Sequence, residues 1–201
     1  MTTQSQTTMP PTAMSALDAI YHRRSVRDFA SEPIDPGVIR ALLDAAVHAP
    51  TAMHEEPWAF VIIEDKKQLD RLSESVREQM RVEARNFDAG RSKHLLELVN
   101  QPDFNAFYNA GVLIVICRKF EGPFVEADCW LAAENLMLAA CANGLATCVI
   151  GLAVSALNTP AWKAELQVPA GMATVAPIIV GVAARQIPAV PRKPPEILNW
   201  R

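Results

Sequence analysis

The segment from Phe124 to Asn143 constrains the fold most, because it predicts a long helix that is apolar on nearly every side. Gly144 follows it and is well placed as the left-handed residue that ends a helix. A helix of this kind has to be buried against a sheet or other helices. It also carries more apolar surface than a lone domain of 201 residues usually needs, which favours an interface between subunits.

Short apolar runs rich in β-branched residues predict buried strands, which lie at Trp58–Ile63, Val112–Cys117, Thr147–Ile150 and Ala173–Ala183. Capping residues and helical spacing predict further helices after Ser15, after Asp35-Pro36, after Asp65, across residues 78–100 with Gly90 interrupting, and after Thr159-Pro160. Helices and strands are interspersed and no internal repeat is present. The pattern predicts an α+β or α/β sandwich.

Composition narrows the class of protein. Half of the residues are hydrophobic and a fifth are charged, as in ordinary soluble globular proteins. A net charge of −3 gives no basic footprint for nucleic acid or an anionic membrane. The longest apolar runs are shorter than the roughly 20 residues that span a bilayer, and no secretory signal is recognisable. Four cysteines in apolar settings indicate buried thiols in a reducing compartment, and we expect a cytoplasmic protein.

Two ends of the chain differ in composition from the rest. Residues 1–14 are mostly Thr, Gln, Ser and Pro with little to bury, and predict a disordered leader. Residues 15–201 predict a single domain. Within it, residues 187–201 begin with a stretch that holds four prolines, which predicts an extended arm rather than a packed element.

The sequence motifs of several common enzyme classes are absent. The chain contains no G-x-G-x-x-G or G-x-x-x-x-G-K-[ST] phosphate cradle, no G-x-S-x-G elbow and no H-E-x-x-H pair. The sequence therefore predicts no zinc or other metal site and no marked hydrolase.

The first positive signal is Arg23-Arg24-Ser25-Val26-Arg27 at the end of a short helix. Guanidinium and hydroxyl groups donate charge-assisted hydrogen bonds to phosphate. In an extended segment, Arg23, Ser25 and Arg27 point the same way because side chains alternate. Alone, this cluster could equally be a solvated basic turn.

Three further segments carry weaker signals. Residues 49–60 form a proline-bounded loop that leads into a strand, a natural place for side chains that meet a ligand. Residues 143–151 run from a helix end through a short strand to Gly151, where backbone could approach a planar group. Residues 191–196 place a basic pair in a stiff tail. Taken alone, each segment can also be interpreted without a ligand, as an ordinary connection between a helix and a strand or as a solvated tail.

Taken together and in this order, the segments resemble the nitroreductase family of FMN-dependent oxidoreductases. The resemblance lies in R-R-S-V-R-x-F, A-P-T-A-M-x-x-x-P-W-x-F, N-G-L-A-T and R-K-P-P-E, and it spans Ala16 to Trp200. It implies a nitroreductase-like α/β sandwich of the α+β class, with a central, mostly antiparallel sheet flanked by helices. It further implies an interlocked homodimer with two FMN sites at the interface.

The resemblance also implies roles for individual residues. Arg23, Arg24, Ser25 and Arg27 would hold the phosphate and the pyrimidine edge of the flavin, and Arg192 and Lys193 would reach the phosphate from the tail. The loop would contribute Thr51, Met53, His54 and Glu56. Cys148, Ile150 and Gly151 would lie beside the isoalloxazine, where a backbone N–H meets flavin N5. No catalytic side chain is expected, because the flavin performs the chemistry.

The chain departs from the family at two positions. The family commonly has Asn and Gln two residues apart before Pro-Trp, whereas this chain has His54 and Glu56. An ionised Glu only accepts hydrogen bonds, and a carboxylate near the ring would lower the flavin's reduction potential. Alternatively, the two side chains pair with each other and leave the ring alone.

The implied reaction has two steps: NADH or NADPH delivers hydride to flavin N5 and leaves, and a small organic acceptor such as a nitroaromatic or a quinone then takes its place. One alternative keeps the flavin and changes the chemistry to flavin fragmentation, dehalogenation or oxidation of peptide-derived rings. Another is a non-catalytic flavin-binding protein, or a relative that no longer binds flavin.

Overall fold

The computed structural model describes residues 14–201, so the leader expected at residues 1–14 lies outside the described residues apart from Met14. Its helices are α1 (Ala16–His22), α2 (Pro36–Val47), α3 (Lys66–Glu83), α4 (Ala89–Val99), α5 (Val125–Ala142), α6 (Val154–Leu157) and α7 (Pro160–Glu165). Its strands are β1 (Trp58–Ile63), β2 (Val112–Arg118), β3 (Ala146–Val149) and β4 (Ala173–Gly181). Single 3₁₀ turns occur at Ala52–His54, Ala84–Asn86 and Gly151–Ala153.

The four strands form one antiparallel sheet in the order β1-β2-β4-β3, which confirms the antiparallel sheet expected from the sequence. The apolar strands β2 and β4 occupy the centre, and β1 and β3 are the edges. Two isolated bridges, Ser25 to Thr147 and Phe29 to Ala183, attach the segment after α1 to β3 and to the end of β4.

Helices cover both faces of the sheet. Along β2, Leu113 and Val115 face a core that includes residues of α3, α4, α6 and α7, whereas Ile114 and Ile116 face a core built with α2 and α5. Because successive strand residues point to opposite faces, the continuous apolar run of β2 fills both cores. The arrangement is the α+β sandwich that the sequence predicts.

Side-chain caps begin the helices where the sequence predicts them. The side chains of Ser15, Asp35, Asp65 and Thr159 each accept a backbone N–H from the first turn of the helix that follows. Such caps satisfy amides that have no partner within the helix. Gly144 has a φ of 73° and ends α5 in the left-handed conformation.

The expectation for residues 78–100 was wrong in one respect. Gly90 does not interrupt the helix but lies in the first turn of α4, and the break comes earlier, where Phe87 is extended. A glycine is tolerated in a first turn because few intrahelical bonds depend on it there. The single-turn helix α6 was not predicted, since four residues are too few to show a period.

Within the described part of the chain, no helix combines the length and the apolar character that crossing a membrane requires.

Candidate functional site

The Arg23–Arg27 segment lies along the exposed edge of β3. The N–H of Val26 donates to the carbonyl of Thr147 at 3.0 Å, and Val26 is buried with 5 % exposure. On either side of Val26, Ser25 and Arg27 are exposed, and Arg23 is half-buried. Those three side chains share one neighbour, the thiol of Cys148 on β3.

One end of this edge opens into a groove of about 590 Å³. It is lined by Arg23, Arg24 and Thr147, together with residues 185–189 of the chain after β4. Arg24 Nη1 donates to the carbonyls of Tyr21 and Arg23 at 2.7 and 2.8 Å, so this arginine also ends α1. Arg24 Nε and Thr147 Oγ1 are both buried without a hydrogen-bond partner in the described structure.

Arg185 is a residue of this groove that sequence reasoning missed. Its Nε lies 3.0 Å from Asp28 Oδ2, in a surface ion pair. The bridge between Phe29 and Ala183 brings the chain after β4 alongside the arginine segment. No local motif marks Arg185, so only the pairing of distant segments could have identified it.

The other end of the β3 edge opens into a small cavity of about 110 Å³, lined by Arg27, Ile150 and Gly151 and walled by Phe104 and Tyr108. Thr147 lines the groove, and Gly151, four residues later and just beyond β3, lines this cavity. The edge therefore suits an elongated ligand with an anionic end and a planar end.

The backbone at the second cavity distinguishes two candidate donors. The Ile150 N–H already donates to the Pro177 carbonyl at 2.8 Å. The Gly151 N–H donates to no acceptor in the described part of the chain, and no atom lies within 4 Å of the position a Cβ would take there. Gly151 therefore leaves both a free amide and room for a planar group.

Cys148 contributes packing rather than an activated sulfur. It is 2 % exposed, and burial raises the pKa of its thiol although Arg27, Ser25 and Arg23 act in the opposite direction. A thiol that stays protonated at neutral pH is a poor nucleophile.

The loop with Thr51, Met53, His54 and Glu56 lies at a different place in the fold. It leads into β1, the edge strand opposite β3, about 14 Å across the sheet. The Ala52 N–H is bonded to Asp128 near the start of α5, whereas Cys141, near the end of α5, lines the groove with Arg23. Cys141 lies 13 positions after Asp128 in the helix, which corresponds to about 20 Å. One chain does not bring the loop and the arginines together.

The loop has an unusual backbone. Met53 and His54 each have a φ of 57° and Glu56 has a φ of 45°, a region that residues other than glycine rarely adopt. His54 and Glu56 are exposed. No hydrogen bond or ion pair links the two side chains within the described structure, so their mutual pairing finds no support here.

The tail residues Arg192 and Lys193 are exposed. Among the described residues neither forms an ion pair, and neither lines the groove that holds Arg23. Residues 184–201 contain no helix or strand. In residues 14–201, no group of three or more His, Cys, Asp or Glu side chains is placed to hold a metal ion.

Comparison with known proteins connects this geometry to a family. The family model described as "Nitroreductase family" matches residues 20–182. Nitrobenzene nitroreductase of Ectopseudomonas oleovorans is 24 % identical over 212 residues, covering 89 % of this chain and 91 % of that protein.

Two solved structures are similar to the whole fold. A nitroreductase with bound FMN from Bacteroides fragilis superposes with a TM-score of 0.75 at 26 % identity, covering 92 % of this chain and 97 % of that one. Oxidised iodotyrosine deiodinase bound to FMN and 3-iodo-L-tyrosine superposes with a TM-score of 0.75 at 21 % identity, covering 92 % and 100 %. The family model covers well over half of the chain. The chain belongs to the nitroreductase family.

Proposed function

We propose that this protein is an FMN-dependent oxidoreductase that takes hydride from NADH or NADPH and reduces a small organic acceptor. The observation that carries the proposal is the β3 edge, where a cationic groove with two unpartnered buried polar atoms lies at one end and an open backbone amide lies at the other. An anionic end and a planar end of one ligand would satisfy both.

The groove suits the phosphate of FMN. Arg23 and Arg24 offer several N–H donors, and Arg24 Nε is buried without an acceptor. A buried donor without a partner costs free energy, which an anionic ligand would recover. Thr147 Oγ1 can donate to the same ligand. The chain's net charge of −3 gives no general attraction for phosphate, so this local cluster has to supply it.

The second cavity suits the flavin ring. Gly151 would present its N–H to flavin N5, and Arg27 would face the pyrimidine edge. Phe104 and Tyr108 wall the cavity and would limit the access of water. When bound, FMN supplies the hydride and electron transfer, and the protein supplies position and electrostatics. No side chain of the chain is assigned a catalytic proton transfer.

We further propose that a second copy of the chain completes the site. The Thr51–Glu56 loop lies at the opposite sheet edge from the arginines of its own chain, so a symmetric partner would present its loop to them. Large apolar side chains are exposed on α1, α5 and the arm, which an interface would cover: Leu17, Ile20, Tyr21, Trp130, Leu131, Leu198 and Trp200. Arg192 and Lys193 on the arm would then reach the phosphate.

Two arginine variants test the function. The purified protein is titrated with FMN, its visible spectrum is recorded before and after NADH or NADPH without oxygen, and Arg23→Ala and Arg27→Ala are compared with Arg71→Ala. Arg71 pairs with Glu165 outside both cavities and is the matched control. We expect the wild-type protein to bind FMN and to lose its oxidised-flavin band with NADH or NADPH. Each site variant should bind about tenfold more weakly or worse, because one charge-assisted hydrogen bond contributes about 1.5–3 kcal/mol.

Three results would redirect the proposal. A wild-type protein that binds no FMN overturns it. A protein that binds FMN but keeps its yellow colour with both nicotinamides is a flavin-binding protein without this activity. Loss of the flavin itself, or turnover only with a halogenated tyrosine, would favour the chemistry of relatives such as the deiodinase.

A further inference from the structure

We propose that Asp128 is a positioning residue that holds the Thr51–Glu56 loop in the shape it presents to the cofactor of the partner subunit. This inference rests on the proposed function. It assigns a task to a buried carboxylate on α5 that lies away from both cavities.

Asp128 is buried, with 4 % exposure of the residue. Its Oδ1 and Oδ2 lie 3.3 and 3.2 Å from the N–H of Ala52, a residue 76 positions away in sequence. Within residues 14–201 no other donor reaches these oxygens. Burying a polar carboxyl group is costly unless it is hydrogen-bonded, and the Ala52 N–H is the hydrogen-bond partner that this group has.

The loop needs such support. Met53, His54 and Glu56 all have φ values between 45° and 57°, which side chains other than glycine adopt reluctantly. Backbone of this kind persists only where its surroundings enforce it. Met53 is 82 % exposed, so packing of its own side chain within the subunit does not hold it.

A second contact fixes the far end of the loop. Lys119 Nζ donates to the carbonyl of Glu56 at 3.1 Å, and the Lys119 N–H donates to the carbonyl of Pro57 at 2.7 Å. The loop is therefore held at its start by a carboxylate and at its end by an ammonium group. Both anchors belong to the same chain as the loop, which fixes its shape before a partner binds.

The competing explanation is that Asp128 only stabilises α5 through the helix dipole at its first turn. Glu126 occupies the same turn and is exposed, so it shares the dipole effect but not the contact with Ala52. The variant Glu126→Ala is therefore the matched control for Asp128→Ala. Asp128→Asn keeps an acceptor oxygen in the same place and should rescue the contact.

The experiment measures two quantities on the full chain: hydrogen exchange of the Ala52 amide without FMN, and the dissociation constant of FMN. We expect Asp128→Ala to speed the Ala52 exchange at least tenfold and to weaken FMN binding roughly tenfold, the loss of one hydrogen bond to a charged group. Asp128→Asn should stay within about threefold of the wild type in both. Glu126→Ala should match the wild type.

The outcomes separate this inference from the proposed function. If the wild-type protein binds no FMN, the proposed function is overturned. Hydrogen exchange of the Ala52 amide still measures whether Asp128 holds the loop in that case. If Asp128→Ala exposes the Ala52 amide but binds FMN normally, the positioning role is wrong and the function stands. If Asp128→Ala does not fold, Lys119→Met removes the ammonium group that holds the end of the loop. This variant should bind FMN about threefold more weakly. Unchanged binding would overturn the proposal that the loop is held at both ends.

Discussion

At the scale of single residues, the sequence predicts that Arg23, Ser25 and Arg27 point the same way, because an extended segment has a fixed period of two. In the structure Val26 is buried, Ser25 and Arg27 are exposed, and Arg23 and Arg24 line the same groove. The sequence could not show that the Ile150 N–H donates a hydrogen bond to the Pro177 carbonyl. This bond leaves the N–H of Gly151 as the amide that is available to a ligand. That bond depends on the register of β3 beside β4, which no local pattern encodes.

His54 and Glu56 offer a test of whether the Thr51–Glu56 loop lies near the proposed flavin. Restoring amides with His54→Asn and Glu56→Gln should raise the reduction potential of bound flavin, because a carboxylate near the ring disfavours negative charge on the reduced form. Removing a charge that contributes about 1.4 kcal/mol would shift the two-electron potential by on the order of 30 mV. Equilibration with a reference dye measures the shift.

Glu55→Gln is the matched control, since Glu55 is an exposed carboxylate of the same loop without a left-handed backbone. Equal potentials for all variants would mean that this loop does not lie near the ring. Asn also tolerates positive φ better than most residues, so His54→Asn should not disturb the loop.

At the scale of elements, caps and periods predicted most helices and strands within one or two residues. The capping residues Ser15, Asp35 and Asp65 are recognisable from the local sequence, and each caps its helix in the structure. The break between α3 and α4 was misplaced because Gly90 is a familiar helix breaker in sequence, whereas its position in the first turn makes it harmless.

Helix α5 gives a prediction about pH. Burial, aided by the neighbouring Asp128 carboxylate, raises the pKa of Cys129 from 9.0 to about 11. The folded chain therefore holds this proton more tightly than the unfolded chain does. The associated stability is fully present below pH 9 and is lost as the pH rises towards 11. A shift of this size corresponds to about 2–3 kcal/mol.

The variant Cys129→Ala removes this titration at the cost of a small cavity. Its free energy of unfolding in urea should be lower than wild type near pH 7 but should fall less steeply between pH 9 and 11. Cys141→Ala is the control, because that thiol is only half-buried. Parallel slopes for the wild type and Cys129→Ala would contradict the assigned burial effect.

At the scale of the whole molecule, the four sequence blocks identified the family but not their arrangement. The order of motifs along a chain does not give the distance between them in the fold. From the sequence alone, Thr51–Glu56 and Arg23–Arg27 could have been in contact within one subunit. The sheet order β1-β2-β4-β3 places them at opposite edges. Residues 124–143 were predicted to carry more apolar surface than one domain needs. Trp130 and Leu131 in this segment remain about 45 % exposed in the single chain, as an interface between subunits would require.

The arm gives a second prediction at this scale. A chain cut after Gln186 loses Arg192, Lys193 and the exposed side chains of Leu198 and Trp200. We expect light scattering to show a monomer or a weakened dimer, and FMN content to fall in parallel, because the arm gains little from folding onto its own subunit. A truncated protein that stays dimeric and keeps its FMN would refute the embracing arm. A monomeric full-length protein would refute the dimer itself.

Mixed dimers test the shared site most directly. One copy carries Arg27→Ala, and the other carries a Gly-Ser replacement of residues 51–56. If each site joins the arginines of one copy to the loop of the other, the mixed dimer contains one intact site and one doubly defective site. Absorbance should then show one tightly bound FMN per mixed dimer, while each variant homodimer binds FMN weakly at both sites. A mixed dimer without any tight site would contradict the account, because arginines and loop would then serve the same FMN within one chain.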